Sequence, residues 1–107
     1  MNKFRYMSQV YNITNSKVGR GENSRKYLGR VIWHKNSIRL KSSLTGDGRR
    51  STLMHEIVHI ILGEGFGGED AERVINVLAN GFIHALRENP KLADYMMEEE
   101  RDNKSRR

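Results

Sequence analysis

The chain has 107 residues, 36% of them hydrophobic and 30% charged, with a formal charge of +6 and no cysteine. That length suits one small domain with just enough chain for a core. Disulfide stapling, thiolate metal sites and a cysteine nucleophile are excluded. No apolar run approaches a membrane span or the core of a secretory signal, so the composition predicts a cytoplasmic protein.

In chain order, residues 3–13 read as a first strand through Phe4, Tyr6, Val10, Tyr11 and Ile13. Residues 14–26 turn polar and glycine-bearing and predict a loop. Tyr27 to Leu40 reads as a β-hairpin turning near Lys35-Asn36, with Ile38 and Leu40 on one face and Arg39 on the other. A helix follows over about 48–62, with Thr45, Asp47 and Ser51 as candidate N-caps, Asp47 favoured, and Gly63 as its stop. Gly63 to Gly68 holds four glycines and predicts a link between helices.

A second helix is expected over about 69–88, opened by the dipole-complementing acids Glu69, Asp70 and Glu72. Its inner stripe reads Val74, Val77, Leu78, Gly81 and Ala85, widened by Ala71, Ile75, Phe82 and Leu86. Gly81 is costly in mid-helix and predicts close packing against a neighbour. Asn89-Pro90 ends this helix. A short third helix runs to about Glu99 with Leu92, Tyr95 and Met96 inward, and residues 101–107 form a disordered basic tail. The class is α+β: a small antiparallel sheet, made of the first strand and the hairpin, packed on the helices.

The first long helix carries His55-Glu56-Ile57-Val58-His59, an H-E-x-x-H pattern. Helix residues four apart share a face, so His55 and His59 can aim two imidazole nitrogens at one Zn2+ ion. Glu56 can then serve as general base towards a water on that ion. The pattern arises by chance in roughly one chain in a hundred of this size and composition, so its surroundings matter. The flanking Met54, Ile57, Val58, Ile60 and Ile61 predict a helix buried nearly all round. Unpartnered imidazoles and a carboxylate would be costly there. A catalytic zinc takes three protein ligands. The third is expected from the acidic start of the second helix: Glu72 is preferred because it lies beside the buried stripe, with Glu69 and Asp70 as alternatives. His84 is about 18 Å along that helix from Glu72, too far to share a metal, and His34 reads as a polar edge residue. Tyr27 and Tyr95 read first as packing residues, although either could stabilise an oxyanion if it reached the site.

Three stretches together resemble the phage-type zinc metallopeptidases related to the ImmA/IrrE group, whose helical site is of the gluzincin kind. They are Ser51 to Leu62, Glu72 to Phe82 with its Leu-Ala-Asn-Gly, and Leu86 to Leu92 with its Arg-Glu-Asn-Pro. The hairpin from Gly29 to Leu40 fits the strand pair ahead of that family's motif helix, and the likeness covers about residues 27–97. The resemblance implies a single metallopeptidase-like domain over 1–100, with zinc held by His55, His59 and an acid of the second helix, and Glu56 as base. It also implies a phage or mobile-element origin and a peptide or protein substrate such as a transcriptional regulator. The glycine-rich link departs from the family pattern.

The leading expectation is therefore a zinc-dependent metallopeptidase. The alternatives are a catalytically inactive zinc-containing module that docks on a protein partner, and a weak nucleic-acid binder. The basic first half could attract nucleic acid, but no interleaved aromatics accompany it, and a solvated surface is the preferred reading.

Overall fold

The computed structural model describes residues 1–16 and 28–105. Four strands, β1 (Lys3–Tyr6), β2 (Gln9–Ser16), β3 (Gly29–Ile32) and β4 (Ser37–Lys41), form one sheet. Three helices follow: α1 (Gly46–Leu62), α2 (Glu69–Glu88) and α3 (Leu92–Ser105). The class is α+β, as expected. The sheet, however, is mixed rather than antiparallel. Its order is β1-β2-β4-β3, with β2 and β4 parallel and the outer pairs antiparallel.

The stretch expected to be one strand is two. Met7 and Ser8 both take positive φ, at 51° and 71°, which folds β1 back on β2 through a two-residue turn of the kind that matches strand twist. The β3–β4 hairpin turns where expected, through a 3-10 turn at Trp33–Lys35 and a left-handed Asn36. Thr14 to Ser16, assigned to the loop, instead extend β2. The remainder of that loop, together with Tyr27, lies outside the described residues.

Strand alternation sends Tyr11, Ile13, Ile38 and Leu40 to one face, where Ile60 and Leu53 of α1 close the core. The opposite side of α1 packs Val58, Met54 and Leu62 against Ala71, Ile75, Ala79 and Leu78 of α2. The motif helix is thus the middle layer between sheet and α2, although Ile61 remains 45% exposed. Ile38, Leu40, Val58 and Ile75 are the largest fully buried side chains, each stabilising by about 1.5–3 kcal/mol. Gly29 allows the close approach of α1 to β3: a Cβ there would stand 2.7 Å from Thr52 Cγ2 and 3.1 Å from Leu40 Cδ2.

Several helix details depart from the sequence reading. The N-cap of α1 is Thr45, not Asp47. Asp47 lies in the first turn and pairs with Arg50 and with Arg87 of α2, both at 3.0 Å. The buried stripe of α2 is Ala71, Ile75 and Ala79, whereas Val74 and Val77 are exposed. The apolar arc of α2 is wider than α1 can cover. A Cβ on Gly81 would meet nothing within 4 Å, so no close packing of described residues explains that glycine. Tyr95 and Met96 face solvent rather than the interior. The backbone of α3 stays helical to Ser105, past the expected end at Glu99 and into the tail expected to be disordered; residues 106–107 lie outside the described residues. Among the described residues no helix is long and apolar enough to cross a membrane.

Candidate metal centre

Residues 46–62 form one uninterrupted helix, and it sets His55 and His59 one turn apart. Their ring centroids are 5.0 Å apart, as i, i+4 spacing requires. Gly63 secures the end of that turn. With φ at +97° it leaves the helix while its N–H donates to the His59 carbonyl at 2.9 Å, a conformation that favours glycine. Both imidazoles are about one-fifth exposed and face the N-terminal turn of α2.

Glu72 comes from that turn. Its Oε1 lies 3.2 Å from His55 Nε2, and its Oε2 lies 3.0 Å from His59 Nε2. Among the described residues these three form the group able to hold a metal, with one ligand atom from each lying within 4.8 Å of the others. Glu69 and Asp70, the alternative acids, lie outside the group, although Glu72 is exposed as they are. Burial explains the difference: Ala71 and Ile75 fix the rotation of α2 on α1, and that rotation turns Glu72 towards the histidines. Donors bound tetrahedrally about 2.0–2.1 Å from zinc lie roughly 3.3 Å apart; here the two nitrogen–oxygen contacts, each to a different oxygen of Glu72, are of hydrogen-bond length, and the three ligand atoms lie within 4.8 Å of one another. Two imidazoles and one carboxylate are also the donor types that suit zinc. The three residues could hold a divalent metal ion.

Glu56 projects to the sheet side of His55 and is only 5% exposed. Burial, and secondarily the negative charge of Glu72, push its carboxyl up to about 8. Burial also holds His59 below the usual imidazole value, helped by the neighbouring His55 and opposed by Glu72. Without a cation the pocket therefore favours a protonated Glu56 and a neutral His59. A divalent ion between the ligands would favour the ionised carboxylate.

His55, Glu56 and Glu72, but not His59, open on a cleft of about 320 Å³ between α1, α2 and the start of β3. Gly29, Thr52, His55, Glu56 and Glu72 line it. So do Asn76 and Asn80, which the sequence reading missed. They follow Glu72 at i+4 and i+8, on the same helix face, and that spacing was the available signal. Their amides can donate hydrogen bonds into the cleft. His34 and His84 are exposed and apart from the group, as expected. Tyr95 is exposed and does not line the cleft, so it offers nothing to an oxyanion there. Tyr27 lies outside the described residues.

Comparison with protein-family models, with curated proteins and with solved structures gives no match to this chain.

Proposed function

We propose that the protein is a zinc-dependent metallopeptidase in which His55, His59 and Glu72 hold the metal and Glu56 is the general base. The observation that carries this reading is the convergence of two imidazole nitrogens on both oxygens of Glu72, beside a buried carboxylate that opens on a cleft. Zinc, when bound, supplies a Lewis acid that acidifies a water and polarises a carbonyl. Glu56 takes the proton of the attacking water on its carboxylate and returns it to the leaving amine. Asn76 and Asn80 offer N–H donors to the substrate.

The sheet supports a peptide as substrate. β3 stands at one end of the strand order, so among the described residues its outer edge has no strand partner. Gly29, at the start of β3, lines the cleft. An extended peptide can add to that edge through main-chain hydrogen bonds and lead its scissile bond towards Glu56. The resemblance to the ImmA/IrrE-related phage enzymes suggests a regulatory protein as the substrate. A cysteine-free chain accords with a cytoplasmic setting.

The second reading is a zinc-holding module without turnover that docks on a protein. The apolar residues Val74, Val77, Phe82 and Leu86, exposed on α2, favour it. Glu56→Gln separates the two. Zinc-loaded wild-type protein should cleave an unstructured protein such as casein, and the variant should lose at least about a hundredfold in rate while keeping its zinc. Cleavage that survives in the variant rejects Glu56 as base, and a zinc-loaded wild type inert towards a broad peptide library favours the docking module.

A further inference from the structure

The sheet has a second face that the metal site does not use. Of the 19 lysines and arginines, ten fall within residues 1–46, against one of the 13 acids, Glu22. Strand alternation turns Tyr11, Ile13, Val31, Ile38 and Leu40 towards α1 and their neighbours away from it. The register brings Lys3 and Arg5 of β1, Arg39 and Lys41 of β4, and Arg30 of β3 onto this outer side. Between the two sets β2 contributes only uncharged groups, Val10, Asn12, Thr14 and Ser16.

Among the described residues no carboxylate belongs to this face, and none of the five cations has an ion-pair partner. Glu64 borders the groove at the β3 edge with Arg30 and Arg39, yet it does not reach ion-pair distance of either. Arg30 and Arg39 are direct cross-strand partners. Like charges so placed destabilise an antiparallel pair, and an anion laid across them relieves that repulsion.

We propose that this outer sheet face binds the phosphate backbone of duplex nucleic acid. Neighbouring strands are about 4.8 Å apart and successive residues about 3.3 Å apart along a strand, so the register sets Lys3 roughly 12 Å from Arg39 and spaces the other pairs between the two sets by roughly 16–22 Å. The Lys3–Arg39 separation resembles the major-groove width of about 12 Å, and the wider pairs follow the two phosphate strands diagonally along the groove. Lys3 and Arg5 then meet one phosphate strand and Arg30, Arg39 and Lys41 the other, with Asn12 and Thr14 over the groove. Phe4, Tyr6 and Tyr11 pack on the inner side, so among the described strands no aromatic ring is presented for the base stacking that holds single strands. An acidic peptide would engage one row of cations and leave the other unmatched.

The test is fluorescence anisotropy of the full chain on a labelled 20-base-pair duplex of random sequence, titrated between 50 and 200 mM NaCl. About five phosphate contacts give a slope of log affinity against log salt near −4 to −5. Arg30→Gln with Arg39→Gln should flatten that slope by about 2, and Lys3→Gln with Arg5→Gln by a similar amount. Arg73→Gln on α2 should leave it unchanged. Circular-dichroism melts check each variant, and if the paired glutamines unfold, Arg30→Lys with Arg39→Lys should fold and keep the slope. Any of three results overturns the proposal: no binding at tens of micromolar protein in 50 mM salt, Arg73→Gln costing as much as a sheet pair, or polyglutamate or single-stranded DNA competing as well as duplex.

Discussion

Replacing Glu56 by Gln should change how the stability of the metal-free protein depends on pH. Burial raises this carboxyl from 4.5 to about 8, with Glu72 adding to the shift. Between those values the folded state binds more protons than the unfolded chain, so stability falls as pH rises through the window. Each pKa unit is worth about 1.4 kcal/mol, which makes the loss about 5 kcal/mol in full. That is comparable with the whole stability of a small domain. His59 acts in the opposite sense: its lowered value costs stability as pH drops below about 6.5. The unopposed fall therefore lies between about pH 6.5 and 8. Glu56→Gln retains size and hydrogen-bonding capacity but cannot ionise. It should match wild type near pH 4.5 and exceed it by several kcal/mol at pH 8.5 when both are stripped with EDTA. Urea titrations followed through Trp33, the single tryptophan, which packs against the sheet core, supply the measurement. Parallel pH–stability curves for the two proteins would refute the claim that the pocket holds a buried, protonated carboxyl.

Other substitutions test the layers that position the site. Gly29→Ala should cost about 1–3 kcal/mol, seen as a lowered urea midpoint, because its Cβ would stand 2.7 Å from Thr52 Cγ2 and 3.1 Å from Leu40 Cδ2 and those packed side chains must shift. Ile75→Ala should cost about 2–5 kcal/mol in the same assay, since that side chain is fully buried between α2 and α1. Arg87→Ala removes one of two arginines on the largely exposed Asp47 and should cost no more than about 1 kcal/mol, less in high salt.

The parts of this fold legible in sequence are those set by local period and spacing. H-E-x-x-H on a helix fixes its own geometry, whereas Glu72 was preferred for a stripe through Val74 that proves exposed, and the burial of Ala71 and Ile75 is what turns it to the histidines. The Met7-Ser8 turn was hidden because neither residue is a glycine or asparagine, the usual signals for positive φ. The parallel β2–β4 pairing depends on where a long connection returns the chain, and no local pattern records that. The buried stripe of α2 was misassigned because apolar residues occupy about half of its circumference, while α1 covers only the arc of Ala71, Ile75 and Ala79. Asn76 and Asn80 were readable from their spacing to Glu72, but amides carry no ligand signature that would single them out.

Metal content tests the central claim most directly. Protein purified without added zinc should contain about one zinc per chain by inductively coupled plasma mass spectrometry, and folded His59→Ala and Glu72→Ala should contain almost none. A wild-type protein that takes up no metal even when zinc is supplied, or a Glu72→Ala variant that keeps its full complement, would contradict the three-ligand centre.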